Sequence, residues 1–220
     1  MNVFAIGGEI RTKELKALYN QIETAEDFTE ISDKIKAGDA VIHFWESESI
    51  DDLQALLANR EIHILINTLN TSLSELKVFL GTVNSNVMGF AGIPGFINRN
   101  KWEITALDDH SIINSEELFK LLKVKPIRVQ DRVGMVTPRV VSMIINEAYF
   151  TVMEGTAEKK DIDVAMKLGT NYPEGPFAWL DKIGIEHIYE LLDALYEDTK
   201  EERYKICPLL KQEYLNSMSN

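Results

Sequence analysis

The sequence predicts two domains of different class: an α/β domain with a parallel sheet over residues 1–131, then an all-helical domain over residues 132–220. Three observations carry this. Short, near-continuous apolar runs alternate with helical patterns up to Asp131, as buried parallel strands alternate with the helices that cover them. No strand pattern survives beyond Asp131. From there, apolar residues recur at helical spacing between glycines placed as helix stops. A chain of 220 residues is long enough for one domain or two small ones, and long enough to bury a core.

The elements follow in order. Asn2–Ile6 reads as a first strand, followed by Gly7-Gly8 and a helix near Thr12–Tyr19. Ala40–Trp45 is a second strand, bounded by Gly38-Asp39 and the polar run Glu46–Ser49. Ile50–Asn59 puts Ile50, Leu53, Leu56 and Leu57 on one helical face. Ile62–Ile66 is a strand, Ser72–Leu80 a helix, Asn86–Phe90 a strand, Trp102–Ala106 another, Ser115–Leu122 a helix and Pro126–Val129 the last strand. In the helical part, Pro138–Glu154 ends at Gly155, Lys160–Leu168 is closed by Gly169, and Glu174–Ile183 is stopped by Gly184. Ile185, Ile188, Leu191, Leu192 and Leu195 mark a fourth helix.

Composition narrows the function. Hydrophobic residues make up 45% and charged residues 26%, ordinary values for a globular protein. The formal charge is −12, spread over both parts of the chain. Such acidity argues against nucleic acid, whose phosphates need a basic surface, and against an anionic membrane surface. No apolar stretch reaches the length of a membrane span, and MNVFAIGGEI lacks the cationic start and long apolar run of a signal peptide. The one cysteine, Cys207, rules out a disulfide framework within the chain and is expected to be a structural thiol. A cytoplasmic protein is the expectation. No His, Cys and carboxylate cluster has metal-ligand spacing.

One run of the helical part is specific. Gly169-Thr170-Asn171-Tyr172-Pro173-Glu174-Gly175-Pro176-Phe177 follows G-x-N-x-P-x-G-P. Gly169 is expected to end one helix and Asn171 to cap with its side chain. Pro173 and Pro176 restrict the backbone around Gly175, so the next helix starts at a defined angle. A rigid interhelical corner is one full explanation of this run. It is accompanied, however, by Ile145-Asn146-Glu147-Ala148, by Asp161–Gly169, by Arg203-Tyr204 and by Pro208-Leu209-Leu210. Together these resemble the C-terminal domain of the 3-hydroxyacyl-CoA dehydrogenases over roughly 132–212. Residues from Asp39 to Asp131 resemble the second half of the family's nucleotide-binding domain. The resemblance implies a shortened Rossmann-like domain followed by the family's helical domain, which forms the dimer and helps wall the acyl-CoA site. Only 38 residues precede Asp39, so a strand of the first half is expected to be missing or remodelled.

The resemblance also implies a reaction, hydride transfer from a 3-hydroxyacyl-CoA to NAD. That needs a general base, held by an orienting carboxylate. The family's His lies in a G-x-H-F-F-N-P loop, and its Glu twelve residues later. Here the loop reads Gly89-Phe90-Ala91-Gly92-Ile93-Pro94-Gly95, with Ala91 in the His position and Glu103 in the Glu position. Glu103 also has a plain reading, as a solvent-facing carboxylate on a short strand. Alanine moves no proton, and general acid–base catalysis supplies about 10²–10⁴-fold, or roughly 3–5 kcal/mol of barrier. His43, His63, His110 and His187 have no spacing that brings them to Glu103. Pro138 stands where the family has an Asn near substrate. Ser72 matches the family's substrate-binding serine, with Ser74 an alternative and a helix N-cap the plain reading.

The dinucleotide fingerprint G-x-G-x-x-G reads Gly7-Gly8-Glu9-Ile10-Arg11-Thr12. Gly7 matches, and with Gly8 it is the candidate cofactor contact. Glu9 brings bulk and negative charge to the pyrophosphate position. No strand is evident for the acid that would bind the NAD ribose. The expectation is a 3-hydroxyacyl-CoA dehydrogenase-like protein of fatty-acid metabolism, a homodimer whose NAD-dependent activity is absent or very weak. The alternative is a non-catalytic acyl-CoA-binding or dimerisation partner protein.

Overall fold

The computed structural model describes residues 1–45, 50–81 and 83–219. The polar run expected at 46–49 lies outside the described residues. The chain divides into two compact units, Met1–Met135 and the residues from Val136 onward. The division falls just past 131/132 because Asp131 and Gly134 are tied into the first unit. The Asp131 carboxylate accepts from the Leu73 and Ser74 amides at 2.9 Å each, and the Gly134 amide donates to the Leu69 carbonyl at 2.8 Å.

The first unit runs β1 (Val3–Ile6), α1 (Glu9–Leu18), β2 (Glu23–Ala25), β3 (Ala40–His43), α2 (Ile50–Ala58), β4 (His63–Asn67), α3 (Leu73–Leu80), β5 (Val87–Phe90), β6 (Lys101–Ala106), α4 (Asp109–Asn114), α5 (Glu116–Leu122) and β7 (Lys125–Arg128). The strands form one sheet in the order β2-β1-β3-β4-β5-β6-β7. Its faces are both buried. On β1, Val3 and Ala5 enter one apolar cluster with Ile42, Leu65, Met88 and Ile104, while Phe4 and Ile6 enter another with Val41, Ile64 and Ile66. Burial on both sides makes these strands near-continuously apolar rather than alternating.

Two expectations need correction here. The sheet is not wholly parallel, because β6 runs antiparallel to β5. Residues 91–100 between them hold no helix, so the chain has no crossover to carry it back for parallel pairing. Second, a strand follows α1 where none was evident in the sequence. β2 is Glu23-Thr24-Ala25, parallel to β1 at the sheet edge. It is short and half-exposed, so it carries too few apolar residues to be seen in sequence. Against the doubly wound order 3-2-1-4-5-6, the strand outside β2 has no counterpart among the described residues.

The second unit runs α6 (Thr137–Met153), α7 (Lys159–Thr170), α8 (Pro176–Ile183), α9 (Ile185–Thr199) and α10 (Pro208–Ser217). Gly155 and Gly184 take positive φ after α6 and α8, as helix stops do. Gly169 does not end its helix. It lies inside α7, and Asn171 takes the left-handed cap position at φ 56°, through its backbone rather than its side chain. Gly175 is the N-cap of α8 and Pro176 its first residue. The Asp163 carboxylate, from α7, accepts from the Phe177 and Ala178 amides at 2.8 and 3.1 Å. It thereby satisfies two of the N–H groups that a helix start leaves open. A Cβ on Gly175 would overlap this Asp163 side chain, which is why glycine stands there. Asn146 on α6 accepts from the Cys207 amide at 2.8 Å and donates to the Lys205 carbonyl at 2.9 Å, and Arg139 donates to the Tyr204 hydroxyl at 3.0 Å. The separated motifs of the helical half therefore meet as structural contacts. Cys207 is wholly buried.

Candidate nucleotide cradle and hydroxyacyl site

The parallel sheet reverses its winding at β1, which has β2 on one side and β3 on the other. Ligands of such sheets bind at the carboxyl ends of the strands where the order reverses. At that place lies a cavity of about 590 Å³, lined by Gly7, Gly8 and Glu9 after β1, by Ala25 and Glu26 after β2, by Glu30, and by His43 and Trp45 at the end of β3. Gly7 has φ 143°, and a Cβ on it would lie 2.7 Å from Phe44 Cβ. This position accepts only glycine. Gly8 is the N-cap of α1 and makes no side-chain cap.

Glu9 is the first residue of α1 and is exposed at the cavity. Its carboxylate sits where a helix N-terminus favours negative charge. Thr12, where the fingerprint has its third glycine, is buried, and its hydroxyl reaches back to the Gly8 and Glu9 carbonyls at 3.2 Å. Arg11 lies over the Phe44 ring, 5.6 Å from its centroid, and does not line the cavity. Sequence reasoning missed Glu26. Its signal was its position just after β2, about twenty residues beyond the glycine turn, where dinucleotide folds carry the acid that holds a ribose. The strand before it was too short to draw attention to it.

The second candidate group sits on β5, β6 and the loop between them. β5 and β6 pair Met88 with Ala106, Gly89 with Thr105 and Phe90 with Ile104. Continued by one residue, this register sets Ala91 opposite Glu103. Ala91 itself lies just past the end of β5, and Glu103 is within β6. Glu103 is half-buried on β6. The loop after Ala91 is firmly held. Gly92 donates to Asn67 Oδ1 at 2.9 Å, and the Glu14 carboxylate accepts from the Gly95 and Ile97 amides at 2.6 and 3.1 Å. A Cβ on Gly92 would lie 2.9 Å from Asn67 Oδ1.

Ser72 is the N-cap of α3, in a full capping box with Glu75. Its hydroxyl accepts from the Glu75 amide at 3.1 Å and donates to the Glu75 carboxylate at 2.9 Å. Ser74, the alternative, donates to Asp131 at 2.7 Å. Both hydroxyls are engaged in holding α3. Pro138 is buried in the first turn of α6. The histidines are placed elsewhere: His43 ends β3 and accepts from the Trp45 amide at 2.9 Å, His63 begins β4 with Nδ1 2.9 Å from Ser115 Oγ, His110 is on α4 and His187 on α9. Burial pushes His63 below its usual range, against the opposing pull of Glu117. Among the described residues no group of three or more His, Cys, Asp or Glu could hold a metal, and no helix is long and apolar enough to cross a membrane.

Comparison with known proteins places these observations. The family model of the 3-hydroxyacyl-CoA dehydrogenase C-terminal domain matches residues 134–217. The chain is 46% identical over 89 residues to 3-hydroxyadipyl-CoA dehydrogenase of Escherichia coli, covering 40% of this chain and 19% of that protein. It is 30% identical over 159 residues to a probable 3-hydroxybutyryl-CoA dehydrogenase of Deinococcus radiodurans, covering 72% and 55%. With the 3-hydroxybutyryl-CoA dehydrogenase of Bradyrhizobium diazoefficiens it shares 28% over 189 residues, covering 86% and 60%. The matches thus span between 19% and 60% of the length of these curated relatives. The fold is that of FadB2 of M. tuberculosis, with a TM-score of 0.77 at 16% identity over 98% of this chain and 94% of that one. It is shared with the (S)-3-hydroxybutyryl-CoA dehydrogenase of Ralstonia eutropha, with a TM-score of 0.75 at 19% identity over the same shares. The Rossmann-like sheet, the family match at 134–217 and the 30% identity to a probable 3-hydroxybutyryl-CoA dehydrogenase over 72% of this chain make it a member of the 3-hydroxyacyl-CoA dehydrogenase family.

Proposed function

We propose that this is a 3-hydroxyacyl-CoA dehydrogenase-like protein of fatty-acid metabolism in which the NAD-dependent oxidation of a 3-hydroxyacyl-CoA is absent or very weak. One observation supports the reading most: Ala91, not a proton acceptor, follows β5 at the position that the β5–β6 register, extended by one residue, would pair with Glu103. In this reading Glu103 is the surviving half of a base-and-carboxylate dyad, and a carboxylate whose role is to orient an imidazole does not itself replace it. Pro138 supports the reading, since it offers no side-chain donor, and so does the engagement of Ser72 in its capping box. The cofactor of the family is NAD. Gly7, Gly8 and Glu26 are the residues that would meet its adenosine half, and bound NAD would supply the hydride acceptor. The test is NADH formation from 3-hydroxybutyryl-CoA at saturating NAD. The expected result is turnover at least about a hundredfold below that of an intact relative. Turnover at a rate comparable to the relative's overturns the reading.

The alternative, a non-catalytic acyl-CoA-binding or dimerisation partner, is favoured by the helical half. Its motif residues Arg139, Asn146 and Asp163 are all engaged in structural contacts. Thermal shift with acetoacetyl-CoA separates the two: stabilisation without NAD supports the binding protein. Sedimentation equilibrium tests the proposed homodimer through the helical unit.

A further inference from the structure

We propose that the cradle after β1 has reversed its preference for phosphate: it takes an uncharged nucleoside with a free ribose diol and excludes the pyrophosphate of a dinucleotide, and Glu9 sets this selectivity. The proposal rests on reading the β1 turn as a nucleotide cradle, as above, and it deepens that reading.

A dinucleotide fold binds pyrophosphate because the first helix offers open N–H groups and the positive end of its dipole to an anion. Here that anion is built into the chain. Glu9 is the first residue of α1, exposed at the cavity, on a helix whose N-cap residue Gly8 contributes no side chain. It brings a negative charge to the same helix start that a ligand phosphate would use. The wider lining adds to the effect. Glu26 and Glu30 also line the cavity, and among its described lining residues there is no lysine or arginine. Arg11, a nearby cation, is buried against Phe44. Lys16 bonds the wall residue Thr24 from outside, at 3.0 Å, and does not itself line the cavity, so a diphosphate entering it meets three lining carboxylates and no lining cation among the described residues.

The other half of the cradle keeps what a nucleoside needs. Gly7 still lets β1 turn against Phe44, where any Cβ would overlap. Glu26 directly follows β2, at the position from which an acid accepts the hydroxyls of a ribose. The Trp45 side chain adds an aromatic wall. A volume of about 590 Å³ lies in the range of small-molecule sites. The chemistry left is a diol acceptor, an aromatic surface and a negative rim, which fits an uncharged nucleoside and opposes its phosphate esters.

The test is calorimetric titration of the intact chain with adenosine, AMP, ADP-ribose and NAD. At about 5 Å in a wet site, one added charge pair is worth roughly fivefold in affinity, so the expected order is adenosine tightest, with each phosphate group weakening binding several-fold. Glu9→Gly is expected to restore the second glycine of the fingerprint and to tighten ADP-ribose by tenfold or more. Glu9→Gln keeps the bulk and removes the charge; it is expected to recover a several-fold part of that gain. Glu26→Gln is expected to weaken adenosine and 2′-deoxyadenosine unequally, removing the preference for the diol. ADP-ribose or NAD binding the unaltered chain at least as tightly as adenosine overturns the proposal, as does failure of adenosine to bind at millimolar concentration. Binding is measured without acyl substrate, so either outcome leaves the Ala91 reading to stand or fall by turnover alone.

Discussion

The two units use their family residues differently. In the helical unit three motif residues end in structural contacts: Asp163 caps α8, Asn146 holds the 205–207 backbone, Arg139 reaches Tyr204. In the α/β unit, on the proposed reading, the scaffold positions persist while the side chains matched to the chemistry differ. Gly7 still turns against Phe44 and Glu103 still lies in register with position 91, yet position 91 is alanine and the helix start carries Glu9. The difference is instructive. Loss of a packing contact lowers stability and removes the whole protein, whereas loss of a proton acceptor leaves the fold intact. On the proposed reading, residues that hold the fold and residues matched to the family's chemistry are separable in this chain.

The largest expected effect would restore the chemistry. Ala91→His returns an imidazole opposite Glu103, in the place where a base and its orienting carboxylate belong. Combined with Glu9→Gly, it is expected to raise NADH formation from 3-hydroxybutyryl-CoA by about 10²–10⁴-fold, equivalent to roughly 3–5 kcal/mol of barrier. The single Ala91→His variant tells whether the cradle alone still limits turnover. A double variant that folds, binds NAD and shows no gain would mean that the two units do not divide as described, and that further losses, Pro138 first, lie in the helical unit.

The next effect is on stability and lies in the helical unit. Gly175→Ala puts a Cβ onto the Asp163 side chain, which must move and release its bonds to the Phe177 and Ala178 amides. Loss of this cap and the overlap together are expected to cost about 2–3 kcal/mol, read as a lower midpoint in urea. Asp163→Ala, which removes the same bonds without overlap, is expected to cost about 1–2 kcal/mol. Their difference isolates the overlap.

Much of this was legible in the sequence, and the rest was hidden for identifiable reasons. The six longer strands and the main helices carry period and apolar content that local reading detects. β2 was hidden because a three-residue edge strand, Glu23-Thr24-Ala25, buries one side chain. Glu26 was hidden with it. The antiparallel β6 was not legible because strand direction depends on whether the 91–100 connection holds a helix, and that loop is ordered by distant partners, Glu14 and Asn67. Ala91, Glu103, Gly7 and Glu9 could be found by motif spacing, but their juxtaposition needed the register. Gly169 misled because glycine is the usual helix stop; the left-handed position went instead to Asn171, two residues on.

That correction yields a smaller prediction of opposite sign. Gly169 lies within α7, with nothing within 4 Å of an added Cβ and no positive φ. Gly169→Ala is expected to stabilise the protein by about 0.5–1 kcal/mol, through helix propensity and a less flexible unfolded chain. A destabilised variant would return Gly169 to the role of helix cap.

The smallest effect is a pH dependence confined to the α/β unit. His63 is half-buried beside Ser115 Oγ, and its burial outweighs the pull of Glu117, so its affinity for a proton is lowered from the ordinary value of 6.5. The unfolded chain therefore takes this proton before the folded chain does. Stability is complete above about pH 6.5 and falls as the pH drops from there through the lower folded value. Because the side chain is partly solvated, the slope is expected to be well under one proton. His63→Asn, which keeps a group able to bond Ser115, is expected to flatten the urea midpoint between pH 7 and pH 5. An unchanged slope would place the acid sensitivity of this unit on its carboxylates. Asp39 is the first to examine: it is buried, yet the Asn2 and Lys36 amides and the Asn2 side chain hold its carboxyl below the usual range. Its contribution is lost only as the pH falls through that lowered value, so a titration continued below pH 4 separates the two groups.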